Sequence, residues 1–496
     1  MEKLNDTYNV GALADVPRMK VSGAITSRPV DFGLGHYVIG VSGVGLSDYN
    51  RYKDILEEAG FIKEKDKTTD NGLVAVAIYK KDTLCLSVTY VEPQNRTYVA
   101  AHYEKDSKWN AETTFQNVTM DIFADVQVSE ALDCGSGTYM VAINDVSEET
   151  FRNYQKIPEE AEYTKTADNG DGLYESVFHV TYMKEKQVLS TTYMVNNKKL
   201  YLSASMNLPI SEHLHYNPKC IEENKEGANT TIHMLKLRED ANCYIIQLKN
   251  GHFIINDGGY EEGTETLFAY LENLTPEGEK PIVEAWFVSS GTRNNCGILR
   301  EIITNPTHVE RIIVKGIYYN EPSNDVVALS PTCWPHVKCV RKAAEWFNAE
   351  CYRPQIGQRY YFNDITVDVL MAQEQLPMEH SCGEFNDSTT WLVYNIEGQK
   401  CLLSGSGNKG GMSYIMDVYP QKHMCFDMLS VPGRGWNTKD YFTDYCKVKT
   451  ALLCREDVPE HKKRANDYLK EHVKEWISLD GESKVLTFPY NKEKYE

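Results

Sequence analysis

Hydrophobic residues in the second half of the chain follow two spacings, one typical of strands and one typical of helices. Two short apolar runs flank Asn250-Gly251, a dipeptide that favours the tight turn of a β-hairpin. Further along, apolar residues recur every three to four positions and predict helices that alternate with strand-like runs. This alternation is typical of layered domains in which helices cover sheets. The helices are predicted at 264–274, 295–305, 338–350, 437–447 and 461–473.

The first 220 residues carry one pattern twice, with an offset of about 102 residues. Leu86-Ser-Val-Thr-Tyr90, for example, returns as Leu189-Ser-Thr-Thr-Tyr193. Each copy predicts a strand, a helix and three further strands, so we expect two tandem small α+β repeats. Neither copy offers a nucleophile, a metal cluster or a phosphate loop, which favours a structural or oligomerising role. The predicted boundaries are 1–30 for an N-terminal extension, 31–110 and 133–208 for the repeats, and 208–229 for a linker.

Composition and charge exclude several classes of protein. The chain is 42% hydrophobic, but no run approaches the about 20 apolar residues that a membrane-spanning helix needs. The formal charge of −19, without a basic patch, disfavours nucleic-acid binding. Thirteen cysteines occur without Cys-x-x-Cys pairs, and the first residues lack the apolar stretch of a secretory signal. We therefore expect a cytoplasmic protein with free, largely buried thiols.

A polar turn after an apolar strand carries the main functional signal. The stretch Trp286-Phe-Val-Ser-Ser-Gly-Thr-Arg-Asn-Asn-Cys-Gly297 leads from a strand into a helix. It resembles the Thr-His-x-His-x-Asp-His-x-Gly motif of metallo-β-lactamase-fold hydrolases, with every metal ligand replaced. The ligand positions hold Ser290, Thr292, Asn294 and Asn295. Hydroxyl and amide groups hydrogen-bond well but are poor ligands for Zn²⁺ or Fe²⁺.

Other motifs of the same family occur in the same order along the chain. The segment that ends in Asp257-Gly-Gly259 is similar to the family's opening hairpin. Leu402-Leu-Ser-Gly-Ser406 is similar to Leu-Leu-Thr-Gly-Asp, with Ser406 in place of the bridging metal ligand. The strand from Asp427 is similar to one that ends in His-His-Gly, and its two histidine positions hold Gly433 and Arg434.

The resemblance implies a fold and a site. It implies an αββα sandwich of the metallo-β-lactamase type over 228–490, preceded by the two repeats, so that the whole chain is of the α+β class. It also implies that Asp257 holds loops together near the site. Neither a metal nor a cofactor is expected, because the deprotonable ligands are missing. The vacated pocket is predicted to be lined by Ser290, Thr292, Arg293, Asn294, Asn295, Ser406, Gly433 and Arg434, with Asp257 beside it.

Two arginines at these loops suggest what the pocket could bind. If the loops converge as they do in the family, Arg293 and Arg434 face the vacated space, where guanidinium groups bind carboxylate or phosphate without metal. The alternative is that each arginine pairs with a local Asp or Glu.

Three other groups offer candidate chemistry. Cys333, His336 and Cys339 have a helical spacing that could hold Zn²⁺, although Pro335 and the apolar neighbours favour buried core cysteines. His380 and Cys382 could form a nucleophilic pair, but no orienting acid is evident. The remaining group is the pair His213 and His215 in the linker, which has no third ligand nearby.

Three functional hypotheses follow from the sequence. The first is a pseudoenzyme with a binding or scaffolding role, whose candidate partners are a small anionic ligand, an active paralogue or a second copy of the chain. The second is a hydrolase of the same superfamily that works through a rebuilt, non-standard site. The third, an ordinary metallohydrolase with ligands elsewhere, is the weakest, because none of the 13 histidines falls at a ligand position.

Overall fold

The computed structural model of the chain describes residues 7–8, 10–31, 37–68, 73–103, 118, 121–123, 126–129, 131–134, 137–221, 223–237, 241–322, 326–327, 330, 333–372, 385–455, 458 and 460–491. The chain divides into two compact units: 1–110 with 323–339 and 383–385, and 111–322 with 340–382 and 386–496. In the described part of the chain, no helix is both long and apolar enough to cross a bilayer.

The first unit contains an antiparallel sheet that is covered by helix α1, in the order β1-β3-β7-β6-β5-β4 with β2 beside β3. The apolar face of α1, formed by Tyr49, Tyr52 and Leu56, is buried in one core with Ile39 and Val88 of the sheet. The elements are β1 Ile25–Thr26, β2 Val30–Asp31, β3 Tyr37–Ser42, α1 Leu46–Glu58, β4 Ile62–Thr68, β5 Val74–Lys81, β6 Leu84–Val91 and β7 Arg96–Tyr103.

The second unit begins with a sheet in the order β10-β11-β12-β13-β9-β8. Five strands of each sheet, β3-β7-β6-β5-β4 and β9-β13-β12-β11-β10, have the same order relative to the chain. The duplication inferred from the sequence remains a prediction, and this shared order is the topology that it requires. The elements are β8 Leu132–Asp133, β9 Thr138–Ile143, α2 Glu148–Tyr154, α3 Lys156–Glu160, β10 Thr164–Asp168, β11 Val177–Lys184, β12 Gln187–Met194 and β13 Lys199–Met206.

The C-terminal region packs against this sheet within the same unit. Asn169 donates a hydrogen bond from Nδ2 to the carbonyl oxygen of Gly357 at 2.9 Å. Gln355 donates from Nε2 to Ser203 Oγ at 3.0 Å. These bonds join the second sheet and the residue after β10 to the segment 353–358.

Two mixed sheets form the C-terminal region. Their orders are β20-β19-β17-β16-β15-β14-β28, with β18 beside β17, and β21-β22-β23-β24-β25-β26-β27. The strands are β14 Thr231–Met234, β15 Cys243–Gln247, β16 Phe253–Asp257, β17 Ile282–Val288, β18 Ile313–Val314, β19 Gly316–Tyr319, β20 Glu350–Tyr352, β21 Arg359–Phe362, β22 Ile365–Met371, β23 Trp391–Ile396, β24 Gln399–Leu403, β25 Cys425–Ser430, β26 Lys447–Leu453, β27 Glu475–Ser478 and β28 Lys484–Thr487. The helices are α4 Thr264–Leu274, α5 Arg293–Thr304, α6 Trp334–Phe347, α7 Lys409–Val418, α8 Asp440–Tyr445 and α9 Lys463–His472.

One apolar core contains side chains from both of these sheets. Ile254 and Phe287 of the first sheet belong to the same buried cluster as Val369 and Leu392 of the second. The chain is therefore a mixed α and β protein with several sheets, in agreement with the α+β class expected from its sequence.

Candidate functional site

The site lies where two pairs of parallel strands end. Strands β16 and β17 are parallel neighbours in one sheet, and β24 and β25 are parallel neighbours in the other. The carboxyl ends of parallel strands meet at one edge of a sheet, where ligands commonly bind in open α/β sheets. Asp257 ends β16, Ser289 follows β17, Ser406 follows β24 and Arg434 follows β25. These four residues and Asn295, at the start of α5, form what we call the polar cluster.

Asp257 is the buried anion of the polar cluster. Its carboxylate accepts hydrogen bonds from the backbone N–H of Ser289 at 2.8 Å, from Ser289 Oγ at 2.8 Å and from Asn256 Nδ2 at 3.1 Å. Burial raises the pKa of Asp257 to about 6, and the bonds from Ser289 and Asn295 and the charge of Arg434 oppose that rise. The carboxylate of Asp257 therefore fixes the start of the loop after β17.

Asn295 joins the loops of the two sheets. Its side-chain Nδ2 donates to Ser289 Oγ at 2.8 Å. Its Oδ1 accepts from Thr292 Oγ1 at 3.0 Å and from Ser406 Oγ at 2.9 Å. Asn295 is fully buried, so these bonds satisfy both ends of an amide that water cannot reach.

Arg434 points into the polar cluster. Its Nη1 donates to Ser406 Oγ at 3.0 Å and lies 3.4 Å from Asn295 Oδ1. The amide orientation of Asn294 that satisfies its neighbours turns the Asn294 oxygen towards this guanidinium, 2.7 Å from Nη1. Three of the predicted pocket residues therefore surround a permanent cation.

The backbone that delivers Arg434 is strained. Gly433 and Arg434 both have left-handed conformations, with φ of 57° and 56°. Glycine adopts this region freely, whereas a long side chain such as that of Arg434 is uncommon there. Such strain persists only where the surroundings impose it, and it is concentrated at functional sites.

Arg293 points away from the polar cluster. Its Nε donates to Glu261 Oε2 at 2.6 Å, and its Nη2 donates to Glu262 Oε1 at 3.0 Å. The guanidinium also lies over the ring of Tyr260, 5.3 Å from its centroid, and the side chain is 47% exposed. Local pairing, the alternative considered from the sequence, therefore describes Arg293, and the structure does not bring it into the pocket.

Gly297 allows the helix that carries Asn295 to approach the neighbouring loop. A Cβ at this position would lie 2.8 Å from the carbonyl oxygen of Gly259 and 2.8 Å from the backbone nitrogen of Glu261. Both contacts are with backbone, which cannot rotate away. This close approach explains why the motif has a glycine at position 297, and the explanation requires no metal.

Four residues near the polar cluster were not anticipated from the sequence. Ser289 lies at its centre, and the signal for it is the hydroxyl residue directly after β17. The other three, Asn242, Thr390 and Trp391, are buried, and each has a nitrogen or hydroxyl oxygen without a hydrogen-bond partner among the described residues. The predicted pocket residue Ser290 has the same property at its Oγ.

The candidate groups Cys333, His336 and Cys339, and His213 with His215, lie in the part of the chain that the structure describes, and neither group forms a metal site there. In the described residues, no three His, Cys, Asp or Glu side chains are grouped so that they could hold a metal ion. Cys333 Sγ lies 3.3 Å from Ser330 Oγ, and Cys339 donates from Sγ to the carbonyl oxygen of His336 at 3.0 Å. The candidate pair His380 and Cys382 lies outside the described residues.

A second buried carboxylate lies near the opposite end of β17. Glu284 contacts His252 Nδ1, lies 2.8 Å from Lys315 Nζ and lies 3.9 Å from His213 Nε2. We call these four residues the Glu284 cluster. Burial is the largest single influence and raises the pKa of Glu284, but the hydrogen bonds from His252 and Lys315 together with the charges of these two groups hold that pKa below its ordinary value.

His213 of the linker belongs to this cluster and is held there by contacts with β21. Its Nδ1 is 2.9 Å from the carbonyl oxygen of Tyr361, and its ring lies 4.4 Å from that of Phe362. Its sequence partner His215 is exposed, so the two histidines of the candidate pair lie in different environments.

Similarity to known proteins is found among solved structures. No protein-family model matches the chain, and no curated protein matches it. Among solved structures, the chain is similar to the Zn²⁺-bound PqqB of Methylobacterium extorquens, with a TM-score of 0.32 and 8% sequence identity over 52% of this chain and 99% of that chain. A similarity of this size supports no inference about the site.

Proposed function

We propose that the chain is a metal-free member of the metallo-β-lactamase-fold superfamily, with a binding or scaffolding role in place of hydrolysis. The ordered motifs of the sequence support the superfamily, and the two C-terminal sheets with a common core are compatible with its sandwich. We also propose that the N-terminal repeats arose by duplication. The candidate partners of the chain are an active paralogue or a second copy of the chain.

The observation that carries the proposal is the position of Arg434. Its guanidinium lies among Ser406, Asn295 and Asn294, three residues at positions where the family would place metal ligands. A guanidinium has only donors and keeps its charge at any ordinary pH. It therefore supplies positive charge beside Asp257 and at the same time repels a metal cation.

The donor set of the site agrees with this reading. Hydroxyl and amide side chains such as Ser290 and Asn294 do not become anions at neutral pH, and tight binding of a transition metal needs deprotonated ligands. Asp257 is a carboxylate, but its oxygens already accept hydrogen bonds from Ser289 and Asn256. Arg434 thus supplies positive charge at the site, as a metal ion would, but it cannot activate a water molecule by lowering its pKa.

A second candidate function is favoured by one observation. The pKa of Asp257 is raised to about 6, a value suited to a general acid or base near neutral pH. Asp257 would then serve a rebuilt hydrolase site. Against this, its side chain is fully buried and its oxygens are engaged, so a substrate would have to displace existing bonds.

Metal analysis together with an activity screen tests the proposal. The full-length protein, purified without chelators, is analysed for Zn, Fe and Mn, and it is assayed on phosphodiester, thioester and lactam substrates. We expect metal far below one ion per chain and no turnover. Stoichiometric metal that is lost on substitution of Ser406 or Asn295 would overturn the proposal. Turnover without metal that is abolished by Asp257→Asn would establish the second candidate instead.

A further inference from the structure

Within the described part of the chain, four buried polar atoms around the polar cluster have no hydrogen-bond partner. They are Ser290 Oγ, Asn242 Nδ2, Thr390 Oγ1 and Trp391 Nε1. Their residues are 2%, 3%, 3% and 0% exposed, so bulk water does not reach them. Buried polar groups in folded proteins are almost always paired, and an unpaired one calls for an explanation such as a missing ligand.

These atoms belong to residues that directly adjoin the polar cluster. Ser290 follows Ser289 in the chain, and the carbonyl oxygen of Ser289 accepts from the backbone N–H of Thr390 at 2.8 Å. Trp391 Nε1 lies 2.7 Å from the position of a Cβ on Gly407, the residue after Ser406.

Asn242 adjoins the cluster from the other side. Its backbone N–H donates to the carbonyl oxygen of Asn294 at 3.2 Å. The residues with unpaired atoms therefore adjoin the loops after β17 and β24 and the start of α5.

The chemistry that these atoms share is hydrogen-bond donation. The indole N–H of Trp391 and the amide nitrogen of Asn242 can only donate, and the hydroxyls of Ser290 and Thr390 can donate as well. A ligand that satisfies all of them must consist of acceptors. The permanent charge of Arg434 beside them favours an acceptor that carries negative charge.

We propose that this site binds a small oxyanion, a carboxylate or phosphate group, through Ser290, Thr390 and Trp391 beside Arg434. This inference rests on the proposed function, since it needs a site without metal. A metal cation would meet donors and a guanidinium, and a neutral molecule would interact with Arg434 more weakly than an anion does. An oxyanion fits both the donors and the charge.

The test follows the indole N–H signal of Trp391 by NMR in full-length protein labelled with ¹⁵N-tryptophan. The chain has seven tryptophans, and the signal that disappears in Trp391→Phe identifies the right one. Sodium phosphate and sodium acetate are titrated separately, against sodium chloride at matched ionic strength. We expect a saturable shift with phosphate or acetate and none with chloride, and the anion with the lower dissociation constant identifies the headgroup.

Variants of the hydroxyl donors make the test specific. We expect Thr390→Val and Ser290→Ala each to weaken the anion about tenfold, the loss of one hydrogen bond. Thr438→Val is the matched control, because the buried Thr438 hydroxyl already donates to Asn466 Oδ1 at 2.9 Å. Its affinity for the anion should be unchanged. Circular dichroism shows which variants fold, and Ser290→Ala keeps the test decisive if Thr390→Val does not.

Two outcomes would overturn the inference. One is no saturable shift with either anion, which would leave ordered water as the partner of these donors. The other is equal weakening by Thr438→Val and Thr390→Val. Metal analysis of the same samples separates this failure from that of the proposed function: bound metal refutes the latter, whereas metal-free protein that ignores both anions refutes only the oxyanion site.

Discussion

Asp257 and Glu284 are two buried carboxylates near opposite ends of the paired strands β16 and β17, and the protein stabilises them in different ways. Asp257 accepts hydrogen bonds from neutral groups, and its pKa rises to about 6. Glu284 is in contact with the side chains of His252 and Lys315, and its pKa falls below the ordinary value. Burial is similar at both places, so the difference comes from the charge of the partners.

The comparison distinguishes a buried carboxylate in a structural ion pair from one in a candidate functional site. At Glu284, imidazole and ammonium groups compensate the charge locally, as in a structural ion pair. At Asp257 the nearby cation, Arg434, is bonded to Ser406 and Asn295 and acts on the carboxylate only through space. The polar cluster therefore holds a charge that is less compensated, which is typical of functional sites.

Removal of Arg434 should give the largest effect. We expect Arg434→Met to lower the free energy of unfolding at pH 7 by about 3–4 kcal/mol, because it leaves Ser406 and Asn295 without a charged hydrogen-bond donor and removes the positive charge near Asp257. Arg293→Met is the matched control, since the half-exposed ion pairs of Arg293 contribute at most about 1 kcal/mol. Urea denaturation of both variants measures the difference. Equal losses would show that Arg434 has no special electrostatic part.

The pH dependence of Asp257 should be the next largest effect. A carboxylate whose pKa rises from 3.8 to about 6 on folding gives its full stabilisation below about pH 4 and loses it as the pH rises through 6. We expect the wild type to lose up to about 3 kcal/mol relative to Asp257→Asn between pH 4 and pH 7. Denaturation curves of both proteins across this range measure it. Parallel curves would mean that the pKa of Asp257 is ordinary.

Glu284 should show the opposite pH dependence. Its lowered pKa means that its stabilisation is present above the ordinary value of 4.5 and is lost as the pH falls through the lowered pKa. We expect Glu284→Gln to cost about 2 kcal/mol at pH 7, and less below pH 4. The same denaturation series measures this loss. A cost that grows on acidification would reverse our assignment of its partners.

Lys315 should give the smallest effect. Its ammonium is 2.8 Å from Glu284, but the side chain is 41% exposed, so water compensates much of the interaction. We expect Lys315→Met to cost about 1 kcal/mol at pH 7 and to add little to Glu284→Gln in the double variant. A full second loss in the double variant would show that Lys315 acts elsewhere.

Local sequence patterns predicted the helices better than the site. The helix predicted at 264–274 has those bounds in the structure, because its apolar spacing decides it alone. The helix predicted at 338–350 runs from Trp334 to Phe347, since Pro335 falls in the first turn, where no backbone N–H is needed. Helix α7 was not predicted, because Gly410 and Gly411 weaken the helical pattern.

The site depended on information that no local pattern contains. Resemblance to a family led to Ser406, Asn295 and Arg434, and the structure places these three within hydrogen-bonding distance. The resemblance could not predict that Arg293 points away from the polar cluster, because its bonds to Glu261 and Glu262 determine that direction. The unpaired donors were also hidden, because a lost hydrogen bond is visible only when every neighbour is placed.

The bonds of Asn295 also have a consequence for how the chain folds. Asn295 is 111 residues from Ser406 and 139 from Arg434, so closing these contacts restricts very long loops. Contacts of this kind form late, after the strands on either side have assembled. Arg434→Met should therefore accelerate unfolding and leave the refolding rate nearly unchanged in stopped-flow experiments, whereas slower refolding would place the contact in the folding nucleus.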